Sequence, residues 1–466
     1  MVFSSVVFLG IFLPAVLLLY FIFKNRAWRN IILLITSLVF YAWGEPVWVA
    51  AMAALCLVDY LGGLALEHLS GGRKKVLLVV MIVLNLALLF AFKYYNFVMN
   101  SIGSLVTILG GSAATLPEFP FAMPIGVSFF TFQALSYVLD VYRGDTAPQK
   151  NYFYLLLYIS MFPQLIAGPI VRYKDVAEQI VSRRETVEGF ASGSFRLSVG
   201  LGKKVLLANY AGSLATALLT DNLGSLSAGG AWVGLLMYTF QIYFDFSGYS
   251  DMAIGLGRMF GFEFRENFNY PYVARTITDF WRRWHISLSA FFRDYVYIPL
   301  GGNRRRQMLN ILIVWGLTGL WHGASFNFII WGLYYAVLLI IEKVLAKNDI
   351  DMGKVPVISN ILLLITVMFG WAIFYYTDTS QLLTFSKSLI GLGSAGVTTL
   401  PGELTKINEM FFLIPVIALA ATPLPARVCG KLLGGCGVEP VARALWAAVL
   451  LAVCFTMIIN QTYNPF

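Results

Sequence analysis

The sequence predicts an all-α, polytopic membrane protein: about eleven transmembrane helices among its apolar runs, some of which read as re-entrant, plus re-entrant or interfacial helices. Three observations predict it. Hydrophobic residues make up 59% of the chain and charged residues 12%, whereas soluble domains run near one-half and one-quarter. Apolar stretches recur along the full length in long continuous runs, not in the short alternating segments of a β-barrel. Finally, Lys and Arg gather in alternate loops, as the positive-inside rule requires of a threaded chain.

The apolar runs lie near 2–23, 30–46, 48–66, 75–97, 123–142, 152–171, 195–219 and 230–258, then near 307–322, 325–343, 357–376, 409–425 and 441–460. Some of these read as re-entrant. The first run has no positive residue ahead of it and Lys24, Arg26 and Arg29 behind it. A cleaved signal peptide has the reverse arrangement, so the run reads as a retained span with its N-terminus outside. The loops holding Lys24/Arg26/Arg29, Arg73/Lys74/Lys75 and Arg143/Lys150 read as cytoplasmic, as do those with Arg304–Arg306, Lys343/Lys347 and Arg427/Lys431. The intervening segments around 45–46 and 101–120 carry no Lys or Arg and read as external.

No internal repeat or low-complexity segment interrupts the chain, so a single domain over 1–466 is expected. No basic stripe is interleaved with base-stacking aromatics, so nucleic acid is not an expected partner; the lipid bilayer is. The four cysteines, Cys56, Cys429, Cys436 and Cys454, are too unevenly spread for a disulfide framework. Cys429 and Cys436 flank a Gly-rich turn with no further ligand nearby, so no metal site is expected.

Against this apolar background, polar residues crowd into two strings: Asp279-Phe-Trp-Arg-Arg-Trp-His-Ile-Ser-Leu288, running on to Phe292-Arg-Asp-Tyr295, and Trp315-Gly-Leu-Thr-Gly-Leu-Trp-His-Gly-Ala-Ser325. Ionisable groups are expensive near hydrocarbon, so where they gather they mark a site or a wet path. The segment 259–306 is too polar for an ordinary span and reads as interfacial and re-entrant helices on the cytoplasmic side. If it is helical, Trp281, Trp284, His285 and Leu288 share one face, and Arg282, Ile286, Ser289 and Arg293 another. Asp279 can pair with Arg282 or Arg283 one turn on. In the run 230–258, Gln241, Asp245 and Gly248 share a face and Asp251 lies about 120° from Asp245. Buried aspartates there should be paired, plausibly with the arginines of 259–306.

The chain has three histidines, His68, His285 and His322. His68, beside Glu67 in a short loop, reads as solvated. His322 lies near the end of an apolar run between Trp321 and Gly323, with only Thr318 and Ser325 as neutral polar neighbours. A neutral imidazole there can take a proton from an attacking hydroxyl, or can simply hydrogen-bond a neighbouring helix. His285, among two tryptophans, two arginines and an aspartate, reads equally as an interfacial anchor or a catalytic group. The same cluster, with Arg304–Arg306, can attract an anionic, phosphate-bearing donor. No Gly-x-Ser-x-Gly elbow, His-Glu-x-x-His helix or Walker loop is present. Direct transfer assisted by histidine is the simplest remaining enzymatic scheme.

The strings resemble those of the membrane-bound O-acyltransferase family, in its bacterial alginate O-acetyltransferase-like branch. The resemblance extends through Phe40-Tyr-Ala-Trp-Gly-Glu-Pro46, Phe92-Lys-Tyr-Tyr-Asn-Phe97, Pro124-Ile-Gly-Val-Ser-Phe-Phe-Thr-Phe132 and Phe162-Pro-Gln-Leu-Ile-Ala-Gly-Pro-Ile170. It continues in Phe244-Asp-Phe-Ser-Gly-Tyr-Ser-Asp-Met252, Trp281-Arg-Arg-Trp-His-Ile-Ser-Leu288, Arg293-Asp-Tyr295, Pro299-Leu-Gly-Gly302 and Leu320-Trp-His-Gly-Ala324. It implies a helical bundle around a central pore in the cytoplasmic (inner) membrane, with His322 as the catalytic histidine and His285 as a second histidine-bearing site. It also implies an acyl donor from the cytoplasm, usually acetyl-CoA, and no resident cofactor. An extracytoplasmic hydrolase-like partner often completes transfer to polysaccharide in this branch. The chain departs from the family where Phe291 and Phe326 stand in place of Trp, where Tyr335-Ala336 replaces a His-Gly pair, and where Ile373-Phe-Tyr-Tyr376 replaces a pattern containing Arg.

The expected activity is therefore O-acetylation of an extracellular or cell-envelope polysaccharide. Trp281, Arg282, Arg283, Trp284, Asp245, Trp321, Ser325 and Asn327 are candidates for binding or positioning the donor beside the two histidines. Two rivals remain: D-alanyl transfer toward teichoic acid, with a carrier protein delivering the acyl group, and a polysaccharide or lipid transporter. Transporters often show repeated halves with broken helices at matching positions, and no such repeat is visible here.

Overall fold

A computed structural model describes residues 1–110, 117–165, 168–433 and 439–460. Cys436, and residues 111–116 of the segment read as external, lie outside the described residues. The described residues are helical, with no strand among them. They fall into two compact units, one of residues 1–190 with 256–265, the other of 191–255 with 266–466.

Among the described residues, five helices are long and apolar enough to cross a membrane: Trp48–His68, Gly71–Ile108, Phe326–Lys347, Pro356–Tyr375 and Glu439–Asn460. A sixth is obtained if Leu413–Ala420 and Leu424–Leu432, bent by 79°, count as one span. Of the other apolar runs, 230–258 lies in one long helix, Ala228–Met259, that is too polar to count, and the rest are shorter or interrupted, so length and apolarity together do not return the count of about eleven read from the sequence. Two of these runs contain a single π-helical turn, at Phe8–Phe12 and Lys203–Ala208. Each widens the helix by one residue per turn and rotates the side chains that follow.

In the first unit a polar clamp holds the cluster of basic residues that ends the first run. Glu185 receives Arg26 at 2.5 Å and Arg29 at 2.6 Å, and Tyr20 donates its hydroxyl to the same carboxylate. Arg183, fully buried, donates to the Phe260 carbonyl at 3.0 Å and to Asn30 Oδ1 at 2.8 Å, and stacks on the Phe262 ring. Asn30 Nδ2 in turn donates to the Ile180 carbonyl. Buried charge is tolerable only when it is matched in this way.

In the second unit, the parts of the helices Val187–Gly202 and Ala228–Met259 that belong to it cross where both helices carry glycine. A Cβ on Gly200 would meet the Gly248 carbonyl at 2.6 Å, and one on Gly248 would meet the Gly200 carbonyl at 2.8 Å. Small residues let helix backbones approach in this manner. The approach brings Asp251 to Lys203 at 2.6 Å and to Arg196 at 2.8 Å, and Asp245 to Lys204 at 2.6 Å. This corrects the expected pairing of these aspartates with the arginines of 259–306. Their partners come from the preceding helix and the π-turn that follows it, a neighbour that spacing along one helix does not reveal.

Candidate functional site

The C-terminal polar string forms a tight helical hairpin. Gln307–His322 and Phe326–Lys347 pack through Gly319 and Gly332, where an added Cβ would overlap the Phe328 and Trp315 carbonyl oxygens respectively. The first helix stops because Gly323 turns to extended backbone, with φ −172 and ψ 160. His322 therefore ends its helix, and aromatic rings surround it: Trp321 and Trp331 at 4.9 Å and Phe374 at 5.2 Å between ring centres.

The other string breaks where the helical pattern predicted continuity. Ile277–Arg283 is capped by Thr276, whose hydroxyl accepts the Asp279 amide at 3.1 Å. Trp284 then turns extended, His285 takes a left-handed conformation (φ 43), and a second short helix, Ile286–Phe292, begins. The single helical face drawn through Trp281, Trp284, His285 and Leu288 is thus corrected. Two hydrogen bonds to Asn267 account for the break, since its carbonyl accepts the Ile286 amide at 2.9 Å and its side-chain oxygen the Ser287 amide at 3.2 Å. Left-handed backbone is uncommon for a residue other than glycine and persists only when its surroundings fix it.

The break has a geometric consequence. Trp281, Trp284, His285 and Leu288 line one cavity of about 430 Å³ together with Arg282, Ile286, Ser289 and Arg293, the residues assigned to another face. The hairpin completes the wall with Trp315, Thr318, His322 and Lys343. Both candidate histidines therefore line a single cavity. Arg282, Ser289 and Arg293 are exposed, which marks where the cavity opens, whereas His285 is 2% exposed. An aromatic cluster packs behind it, with Trp281 at 4.6 Å from Trp315 and 4.8 Å from Tyr335, and Trp284 at 4.8 Å from Trp371.

His285 Nδ1 is 3.0 Å from Asn267 Oδ1, which also accepts the Ser287 hydroxyl at 2.8 Å. The ring stands edge-on to Phe246 at 4.6 Å. Its Nε2 is buried and has no hydrogen-bond partner among the described residues. Burial holds this imidazole well below its ordinary value, and His322 pushes the same way to a smaller extent. Both effects favour the neutral imidazole over the imidazolium.

The other candidates divide. Trp281, Arg282 and Trp284 line the cavity. Arg283 instead pairs with Asp279 at 2.9 Å, as the spacing allowed, and lines a separate groove with Arg275 and Arg427. Asp245 is held by Lys204 outside the cavity lining. Trp321 lies near both histidines, 5.9 Å from His285 and 4.9 Å from His322. Ser325 is the N-cap residue of Phe326–Lys347, and Asn327 donates to the Ile373 and Phe374 carbonyls at 3.2 and 3.3 Å. Neither lines the cavity. Asn267 was visible in the sequence only as one polar residue among many, because nothing in the spacing ties it to His285. Among the described residues no three of His, Cys, Asp and Glu converge as a metal site would require.

A multi-pass helical membrane protein that brings two imidazoles and a basic opening to one aromatic-walled cavity has the parts of a transferase acting on a polar substrate at the membrane. The chain belongs to the membrane-bound O-acyltransferase family, whose model matches residues 33–386, and it is an O-acyltransferase. It is 44% identical over 426 residues to a probable alginate O-acetylase, AlgI, of Pseudomonas aeruginosa, covering 90% of this chain and 80% of that protein. The AlgI of Pseudomonas putida is 38% identical over all of this chain and 99% of its own length. The peptidoglycan O-acetyltransferase of Helicobacter pylori is 31% identical, covering 91% of this chain and 86% of its own.

Proposed function

We propose that this protein transfers an acetyl group from cytoplasmic acetyl-CoA to a hydroxyl of a cell-envelope polysaccharide, with an extracytoplasmic hydrolase-like partner completing delivery. It would act in the cytoplasmic membrane with its N-terminus outside. The observation that carries this reading is the single cavity lined by both His322 and His285 and by Arg282, Arg293 and Lys343. The relatives named for alginate and peptidoglycan acetylation support a polysaccharide acceptor.

In this scheme the donor's phosphates rest against the basic opening, and its acyl end reaches inward along Trp281 and Trp315. His322 takes the proton of the acceptor hydroxyl as that oxygen attacks the thioester carbonyl. The carbon–sulfur bond then breaks, and the departing thiolate takes the proton from the imidazolium, so the histidine is regenerated. Trp321, Ser325 and Asn327 hold the His322 end of the wall in place.

The test is acetyl transfer in proteoliposomes carrying labelled acetyl-CoA on one side and oligosaccharides of alginate or peptidoglycan type on the other. Appearance of an O-acetyl ester on the oligosaccharide supports the proposal. Turnover with a D-alanyl carrier donor but not with acetyl-CoA, or passage of the oligosaccharide without esterification, overturns it.

A further inference from the structure

We infer that Asn267 is a positioning residue: it fixes the proton of His285 on Nδ1 and so leaves Nε2 as a bare hydrogen-bond acceptor on a residue that lines the cavity. The argument begins with an atom whose role is fixed. The Ser287 amide is 3.2 Å from the side-chain terminus of Asn267, and a backbone N–H can only donate. That terminus is therefore the amide oxygen. Its partner Nδ2 donates to Ser250 Oγ at 2.9 Å, which fits the same orientation. His285 Nδ1, 3.0 Å from the oxygen, must then donate as well. In a neutral imidazole one nitrogen donates and the other accepts, so Nε2 carries the lone pair.

Several neighbours of the ring reinforce this state, and the titratable group acting on it, His322, disfavours a charge there. Asn267 is fully buried, and its oxygen accepts from the Ser287 amide, the Ser287 hydroxyl and His285. Phe246 and Phe268 pack against the ring, and among the described residues no carboxylate is bonded to it that would favour the imidazolium. The left-handed backbone at His285 and the two amide bonds to Asn267 hold the ring where Nδ1 meets that oxygen. Among the described residues the buried Nε2 has no partner, and an unmet acceptor in a low-dielectric interior is costly unless a ligand meets it.

The consequence rests on the acyl-transfer reading. A bare Nε2 accepts a hydrogen bond from an acceptor hydroxyl other than the one attacked, which orients the sugar while His322 removes the reacting proton. Asn267 acts on the acceptor through His285 and not on the donor.

With only three histidines in the chain, labelling them with ¹⁵N gives a direct reading, assigned by elimination with His68→Gln and His322→Gln. The full-length protein in lipid nanodiscs should show His285 protonated on Nδ1 and bare on Nε2 at neutral pH. Asn267→Leu should abolish that preference and raise the acceptor KM about ten-fold, the change expected for one lost hydrogen bond, with little change in donor KM. Asn267→Asp keeps an acceptor for the Ser287 amide and for Nδ1 but adds a charge that favours the imidazolium. Its activity should be depressed at neutral pH and recover as pH rises. A proton on Nε2 in the parent protein, an unchanged tautomer in Asn267→Leu, or a parent-like pH profile in Asn267→Asp would each overturn the inference. The tautomer is read without turnover, so a failure of the acyl-transfer reading would be seen separately, as absence of product from a protein whose spectrum is as described.

Discussion

The clamp around Glu185 and the cavity between His285 and His322 are both polar islands in an apolar chain, yet they treat their polar atoms differently. In the clamp, Glu185 is met by Arg26, Arg29 and Tyr20, and Arg183 is met by Asn30, Tyr20 and the Phe260 carbonyl. Around the cavity, His285 Nε2 and Trp281 Nε1 have no hydrogen-bond partner among the described residues. A polar network that serves folding satisfies its members, because an unmatched buried group costs about 1–3 kcal/mol. One that serves chemistry must leave valence for the substrate. Gathered charge alone does not identify a site in a membrane protein; Lys203, Arg196 and Asp251 also gather, and they satisfy each other.

The largest effect expected from this contrast is on turnover. His322→Ala should leave a folded, membrane-inserted protein, since aromatic rings pack around the imidazole and keep their contacts with one another. It should lower acyl transfer about 10²–10⁴-fold, the usual contribution of a positioned general base. Transfer assays on purified variants, alongside a thermal unfolding curve, check it. Near-parent turnover by well-folded His322→Ala would break the contrast at its central point.

Glu185→Ala should do the reverse. Removing one partner from a buried cluster leaves charges unmatched and costs about 3 kcal/mol, while turnover per folded molecule stays at the parent level. The clamp also predicts a pH dependence. Burial alone would raise the Glu185 carboxyl, but the Arg26 and Tyr20 hydrogen bonds and the charges of Arg26 and Arg29 outweigh it and hold it below its ordinary value. Its contribution to stability is therefore complete above the ordinary carboxylate range. It is lost as pH falls through that range toward the depressed folded value. Melting temperature measured against pH should drop on acidification in the parent and drop less in Glu185→Ala.

The two islands also differ in how far the sequence exposes them. Composition and apolar runs give the helical class, and the runs 325–343, 357–376 and 441–460 correspond to Phe326–Lys347, Pro356–Tyr375 and Glu439–Asn460. The crowding of rare polar residues singles out both histidines, which do line one cavity. Hydrophobic periodicity fails at Trp284-His285, because it assumes that a helix continues, whereas Asn267 ends it from a distant part of the chain. The clamp is hidden for the same reason. Arg26 and Arg29 read as topological markers, and their partner Glu185 is far away in sequence. Local patterns report which face of an element is apolar; long-range hydrogen bonds decide where elements break and which polar groups are satisfied.

The smallest effect concerns the basic opening, and it sharpens the contrast by separating binding from chemistry. Arg282 and Lys343 line the cavity with His322 but belong to different elements, Ile277–Arg283 and Phe326–Lys347. Arg282 is exposed, so its attraction for a phosphate is screened by water and salt. An exposed ionic contact contributes about 1 kcal/mol at most, so Arg282→Gln or Lys343→Gln should raise the donor KM roughly five-fold. Acceptor KM and kcat should hardly change, because neither group is asked to meet the reacting atoms. Raising ionic strength should weaken donor binding in the parent and have less effect in the double variant. Steady-state kinetics at two salt concentrations, with donor and acceptor varied in turn, make the measurement. A fall in kcat with unchanged donor KM would mean that these charges hold the helices of the cavity in place, as Glu185 holds its clamp, and the distinction between satisfied and open polar islands would have to be redrawn at the cavity's opening.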